Sequence, residues 1–565
     1  MIRRQFMKKA LAASLTSAAV PAASGAVHTA SRADGHRSRK KPRIMFYNDA
    51  RHPAIYMYEP PMEKEQFEAS VDEVLGTPVD SLVFGLGDGR TVFHNTEVGD
   101  LWGRHVKKWS HLVFRRAHQN AKMMLESGQD PLRIVCNHAH ANGLLLYPSL
   151  LLNRGRGLAR SEDVRAANFT WENRHLEIGA RGDLNESFTG LRQLDFKHQE
   201  VQDERFALIE EVLKNYPVDG FELFFGHFYF FHPKEVEIGR EIMTSWVKRV
   251  HRAVKASGRE RELTVLVPAD IERARSLGLD VPEWIRQGIV DVINGQNYYQ
   301  KIDNLADFRP LIEIAKGTSC RIHAGTNAIL NSDRVSAATI EMIRGVACNY
   351  WAQGVDGLYL SQWFAGTNWP YQPPFYQQLR EVAYPKLMAP KDKFYMVPTA
   401  DQTQTKPPAQ PAPLPIKLKE NRPVKVDLPI ADDLPRWDAQ KRVHEVLLRI
   451  RLANNTEIDQ VVFKLNSKEL PQSQARKINH IYRMHAPRFR VNQSYWYIFR
   501  LDRNHWPKQG KNTIETTLIR RDPDITTPLQ LRDIEIETRY LMGKNYYRNS
   551  EDSDLGPATI SRPPT

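Results

Sequence analysis

The chain has 565 residues, 41% of them hydrophobic and 10% aromatic, enough for two or three domains with substantial cores. Its formal charge is +13, but residues 1–42 carry nine Lys/Arg against one acid, so the excess is concentrated at one end. The remainder has no dominant basic stripe, which argues against a nucleic-acid partner. Three cysteines, Cys136, Cys320 and Cys348, exclude a disulfide scaffold and read as buried thiols.

The first element is a leader. Residues 1–30 combine a basic start, a mild Ala/Ser-rich apolar stretch and small residues near Ala26. Arg3-Arg4-Gln5-Phe6-Met7-Lys8 resembles the twin-arginine export motif, so a signal peptide and an exported protein (periplasmic or extracellular) are expected. Residues 31–42 form a basic spacer. The apolar stretch is too short to span a bilayer, and no later segment reaches membrane length without charges.

From residue 43 to 390, short apolar runs alternate with amphipathic stretches. The runs are RIMFYND (43–49), SLVFGLGD (81–88), RIVCNHAH (133–140), DGFELFF (219–225), ELTVLVPAD (262–270), VDVINGQNYY (290–299), CRIHAGTN (320–327) and DGLYLSQWF (356–364). Helical spacing is expected over 102–127, 204–216 and 237–257. Eight strands with intervening helices predict an α/β fold, a (β/α)₈ TIM barrel. The long stretch 142–202 would follow the third strand onto the C-terminal face, where barrel enzymes hold their sites.

Residues 391–424 read as a linker, with five prolines in PPAQPAPLP (407–415). Over 425–545 the apolar period becomes two, as in EVLLRIRL (445–452), predicting a jelly-roll-like β-sandwich. Residues 546–565 read as a tail.

Strand ends supply the candidate chemistry. Glu222 lies in VDGFELFFGHFYFF (218–231). With Phe221, Leu223 and Phe225 toward the outer helices, Glu222 points into the barrel. Aromatic surroundings should raise its pKa, which suits a general acid. Asp270 ends the neighbouring strand and could supply the second carboxylate of a glycosidase pair, although it also precedes IERARSLG as a helix N-cap would. Asp49 and Asp88 end the first two strands with the same ambiguity. Asn294, Gln296, Tyr298, Asn327, Gln362 and Trp363 offer amides and aromatics for sugar hydroxyls and faces, with Trp369 and Tyr371 beyond them. His138 and His140 would face one way at the third strand end, as cleft-lining residues or, with His227, His232 and His323, as metal ligands. No HExxH, CxxC, P-loop or GxSxG occurs in a supporting context, so no cofactor is expected.

The stretch LDFKHQEVQDERFALIEEVLKNYPVDGFELFF (194–225) resembles the glycoside-hydrolase-like proteins of the family-10-like group, matching at Gln199-Glu200-Val201 and Tyr216-Pro217-Val218-Asp219-Gly220. LGLDVPEWIRQGIVDVI (277–293) and YWAQGVDGLYLSQW (350–363) resemble the same group. The resemblance spans most of 43–385 and implies a (β/α)₈ barrel acting on carbohydrate. The chain departs from that group in carrying Phe224 where a second acid is frequent, and in ending its seventh strand HAGTN rather than in Glu. A glycoside hydrolase using Glu222 and Asp270 is therefore the first expectation. A non-catalytic saccharide-binding barrel and a His-based metal hydrolase are the alternatives.

Overall fold

A computed structural model of the chain describes residues 41–50, 56–165, 167–297, 302–328, 338–361 with 363, 373–400, 412–479, 494–543 and 554. The signal-peptide reading of residues 1–30 and most of the expected tail lie outside the described residues.

Eight parallel strands form the first domain: β1 (Ile44–Asn48), β2 (Ser81–Asp88), β3 (Leu145–Leu151), β4 (Gly220–Phe224), β5 (Glu262–Val267), β6 (Val292–Gly295), β7 (Arg321–Asn327) and β8 (Gly357–Ser361). Each pairs with its sequence neighbour, and β1 pairs with both β2 and β8, so the sheet closes into a barrel. Apolar runs on these strands are buried on both faces, as a barrel covered by helices requires. Phe221, Leu223 and Phe225 pack outward with Phe230 and Trp284, whereas Phe224 joins Tyr47, Tyr147, Leu266 and Tyr359 in a separate cluster inside the barrel.

One expected strand is a helix. RIVCNHAH lies within Pro131–Ala141, and the third strand is LLYPSLL, starting five residues beyond it. The reason is local. Asp130 caps the helix by accepting from the amides of Leu132 and Arg133, and Pro131 presets the first turn. Leu132, Val135, Cys136 and Ala139 then recur at helical spacing on the buried side. The helix expected over 102–127 is likewise confined to Leu112–Glu126.

A short motif recurs through the barrel. Asp80, Asp219, Asp291 and Asp356, each preceded by Val, stand immediately before or near the start of β2, β4, β6 and β8. Each carboxylate accepts from a backbone amide opening the preceding strand: Arg43 and Ile44 (2.9 and 3.1 Å), Leu146 (2.6 Å), Leu263 (2.7 Å) and Ile322 (2.9 Å). These bonds satisfy amides at the bottom of the barrel and pin the strand register. Two of the aspartates are followed by glycine for a steric reason. A Cβ on Gly220 would lie 2.4 Å from the Tyr147 ring, and one on Gly357 would lie 2.7 Å from His323 Nε2.

The second domain pairs two antiparallel sheets. One holds β9 (Lys393–Met396), β12 (Val443–Ala453), β14 (Ala475–Asn479), β15 (Ser494–Arg500) and β17 (Gln530–Tyr540), with the short β10 (Ile416–Lys417) on β17. The other holds β11 (Val424–Ile430), β13 (Gln460–Leu465) and β16 (Gly510–Arg520). Leu448, Ile450, Phe463, Phe499 and Ile536 fill the space between them. The sandwich therefore begins earlier than residue 425: Lys393–Met396 pairs along β17, because its alternating side chains satisfy both the sandwich core and the barrel. Residues 401–411 of the expected linker lie outside the described residues. Asn349 donates to the Pro429 carbonyl at 2.9 Å and Asn304 to that of Met396 at 3.2 Å, joining barrel and sandwich. Among the described residues no helix is long and apolar enough to cross a membrane.

Candidate active site

Glu222 is fully buried in the barrel interior. Its Oε1 accepts from Ser149 Oγ at 2.7 Å and from the Tyr359 hydroxyl at 2.9 Å; its Oε2 accepts from Asn294 Nδ2 at 2.9 Å. The three donors stand on β3, β8 and β6. Only a side chain inside the closed sheet can reach all three. Burial pushes the carboxyl from its ordinary 4.5 up to about 7, against the downward pull of the three hydrogen bonds. The group can thus carry a proton near neutrality in a site shielded from water, as a general acid requires.

Around this centre the barrel holds more polarity than it satisfies. Among the described residues, neither ring nitrogen of His323, nor Asn294 Oδ1, nor Thr264 Oγ1 has a hydrogen-bond partner. His323 pairs in register with Asn294 on β6 and with Gly357 on β8. Burial, and secondarily Arg321, lowers its pKa to about 3, so the ring is neutral. One layer nearer the mouth, Gln296 continues the inward face of Asn294, its Cβ packed where a Cβ on Gly325 would sit, at 2.7 Å. Asn327 and Ser361 pair at the same end of β7 and β8, and Trp363 is buried with Nε1 donating to the Thr326 carbonyl at 3.1 Å. Asp49, buried directly after β1, lays its backbone 3.1 Å from where a Gly85 Cβ would stand.

The 142–202 stretch does cross this end of the barrel after β3. Asn153, fully buried, donates to the carbonyls of Leu194 (2.8 Å) and Tyr229 (2.6 Å), tying the excursion to the segment after β4. The Arg156–Glu177 ion pair and the Arg156 guanidinium over Trp171 hold its outer part.

Several expected positions lie elsewhere. Asp270 is exposed and caps the helix Ile271–Ser276, accepting from the Arg273 amide at 2.7 Å. The short helix that follows β5 needs that cap, so this is its structural role. His138 and His140 sit on the outer helix Pro131–Ala141. His138 bonds Asp72 at 2.7 Å, and His140 bonds Asp219 at 2.8 Å, toward the bottom of the barrel. His232 bonds Asp183 at 3.0 Å. The two outer histidines therefore never meet His227 or His323, and among the described residues no group of three His, Cys, Asp or Glu could hold a metal. The metal-site expectation is overturned because the run that carries it is a helix. Asp88 ends β2. Tyr298, Gln362, Trp369 and Tyr371 lie outside the described residues. The three cysteines are free and buried, with each thiol raised to about 12 by burial.

Sequence reasoning missed Ser149 and Tyr359. Tyr359 had a signal: D-G-L-Y repeats D-G-F-E, placing Tyr359 and Glu222 at the same offset from an Asp-Gly pair. Ser149 was hidden because its strand was placed elsewhere.

No family model matches the chain. It is 24% identical over 264 residues to the "Glycosyl hydrolase DigH" of Escherichia coli O6:H1 (strain CFT073), covering 40% of this chain and 58% of that protein. The chain thus matches little more than half the length of that relative. Among solved structures, alpha-L-fucosidase isoenzyme 2 from Paenibacillus thiaminolyticus aligns at TM-score 0.39 and 12% identity, over 61% of this chain and 49% of that one. The PgaB (BpsB) glycoside hydrolase domain from Bordetella bronchiseptica aligns at TM-score 0.35 and 10% identity, over 60% and 98%. The alpha-amylase from Geobacillus thermoleovorans aligns at TM-score 0.34 and 12% identity, over 84% and 98%. The fold assignment rests on the chain's own strand order: a closed eight-stranded parallel barrel followed by an antiparallel β-sandwich.

Proposed function

We propose that this is an exported carbohydrate-active protein, a glycoside hydrolase in which Glu222 is the general acid. The observation that carries the reading is the Glu222 carboxyl, desolvated inside the barrel and held by Ser149, Asn294 and Tyr359 with its pKa near 7. The glycosyl hydrolase name of the Escherichia coli relative supports the class of reaction. The twin-arginine-like leader supports export. In this reading a proton passes from Glu222 to the leaving sugar oxygen while Ser149 and Tyr359 stabilise the carboxylate left behind. With Asp270 exposed and capping a helix, the second role falls to Asp49, the expected acid buried directly after β1.

One observation favours a second reading. Both oxygens of Glu222 are already engaged by protein donors and its side chain is closed to solvent. A barrel that binds saccharide without cleaving it would keep Glu222 as an internal strut. The two readings separate in a polysaccharide screen of wild type against Glu222→Gln, following both reducing-end release and binding. Release by wild type that the variant loses, with binding retained, establishes the acid. Binding by both without release from either makes this a saccharide-binding barrel and refutes the hydrolase.

A further inference from the structure

Among the described residues, Arg273 is a cation without a counter-ion. It lies in the first turn of the helix after β5, at the C-terminal end of the barrel. Its Nη1 reaches Ser276 Oγ at 3.4 Å. Its Nε and Nη2 are buried and have no hydrogen-bond partner among the described residues. The neighbouring acids are engaged differently. Asp270 accepts the Arg273 backbone amide, and Glu272 pairs with Arg275. Buried guanidinium N–H groups are almost always paired, because an orphan donor on a charged group loses its hydration for nothing.

Gln296, two residues past Asn294 at the end of β6, repeats the anomaly. It is 3% exposed, and both polar atoms of its amide lack partners among the described residues. His227 bridges the two residues. Its ring bonds the Gln296 backbone carbonyl and feels the Arg273 charge, and burial followed by that charge lowers its pKa to about 4. His227 is therefore neutral and adds no second positive charge beside Arg273. Tyr229 walls the site, its ring centroid 5.9 Å from the Arg273 guanidinium and 4.5 Å from Phe188.

The unpaired edge identifies the ligand. Nε and Nη2 form the side-on fork of the guanidinium, whose parallel N–H bonds match the two coplanar oxygens of a carboxylate. Gln296 lies two residues along β6 from Asn294, which holds Glu222. A group bound at Gln296 would thus sit one layer, roughly 6–7 Å, above that carboxyl. We propose that Arg273 and Gln296 form a subsite for a carboxylate-bearing sugar, so that the saccharide this barrel accepts is acidic. The inference rests on the carbohydrate reading above and narrows it to uronates and other carboxyl-substituted sugars.

The test uses the full chain with oligogalacturonate, oligomannuronate and hyaluronan oligosaccharides, each beside its carboxyl-reduced counterpart, and with dextran sulfate. Binding is measured by calorimetry at physiological ionic strength. At least one uronate should bind, and its reduced form should bind roughly tenfold or more weakly, as loss of a charge-assisted bidentate contact implies. Arg273→Gln should abolish that preference, and Glu222→Gln should retain it. Arg273→Lys, which keeps the charge without the fork, should bind the uronate but lose most of the discrimination; it also stands in if Arg273→Gln does not fold. Equal binding of native and reduced forms, binding of neutral saccharides alone, or a preference that survives in Arg273→Gln would overturn the carboxylate subsite and leave the carbohydrate reading intact. Tighter Arg273-dependent binding of dextran sulfate than of any uronate would overturn it in favour of a sulfate ester. Binding of no saccharide would overturn both.

Discussion

Tyr359 donates its hydroxyl to Glu222 Oε1 at 2.9 Å from the far side of the barrel, and each residue stands two positions after the glycine of an Asp-Gly pair. The two motifs open β4 and β8. In each, the aspartate closes the bottom of the preceding strand, the glycine admits a large inward ring, and the next inward residue meets its counterpart at the barrel centre.

That bond sets the proton affinity of Glu222. A hydrogen bond to the carboxylate form lowers its pKa, so Tyr359→Phe should raise it by roughly one unit, the equivalent of one such bond. The carboxyl titration, followed by infrared difference spectroscopy against Glu222→Gln, should move upward. If the protein turns over a saccharide, the high-pH limb of its rate profile should move with it. An unchanged titration would show that the hydroxyl does not govern the site.

The same carboxyl makes stability fall with rising pH. Its folded pKa of about 7 exceeds the ordinary 4.5, so the folded chain binds the proton more tightly. The resulting stabilisation is full below pH 4.5 and disappears as pH rises through 7, a change of about 3 kcal/mol. Glu222→Gln lacks this dependence, and Asn294 can turn its unpaired Oδ1 toward the new amide. Denaturant melts from pH 4.5 to 8 should show the variant gaining on wild type by that amount. A difference that is flat with pH would contradict the assignment.

Gly357→Ala tests the packing beneath the site. The added Cβ would lie 2.3 Å from the Arg43 carbonyl, which is held by the Leu358 amide, and 2.7 Å from Nε2 of the fully buried His323. A loss of about 1–3 kcal/mol or more is expected, with the melting temperature as readout. A neutral outcome would mean that the His323 ring is free to move aside.

Asp432 is the charged centre of the junction between barrel and sandwich. It pairs with the buried Lys393 at 2.9 Å and accepts from Tyr395 (2.6 Å), Thr538 (3.2 Å) and Tyr540. Asp432→Ala leaves Lys393 buried without its counter-ion and should destabilise the protein by about 3–5 kcal/mol. Limited proteolysis should then release the sandwich. Unchanged melting and protease resistance would show that the carbonyls of Met388, Ala389 and Lys391 suffice for Lys393.

Seven of the eight barrel strands were legible in the sequence, because parallel strands buried on both faces appear as continuous apolar runs between helical stretches. Period-two alternation likewise revealed the sandwich. The inward direction of Glu222 followed from the all-apolar set Phe221, Leu223 and Phe225. What misled was RIVCNHAH, an apolar run whose length and composition fit either a strand or a buried helix. The choice was made by Asp130 and Pro131, local capping signals whose weight only the packed helix makes plain. Asp270 shows the converse case: a strand-end acid and an N-cap share one sequence pattern, and only its bond to the Arg273 amide separates them. The partners of Glu222 were decided by closure alone. Ser149, Asn294 and Tyr359 are separated from Glu222 by 73, 72 and 137 residues, and no local periodicity connects them. Periodicity reports which face a residue occupies, while the curvature and register of a closed sheet determine which faces meet.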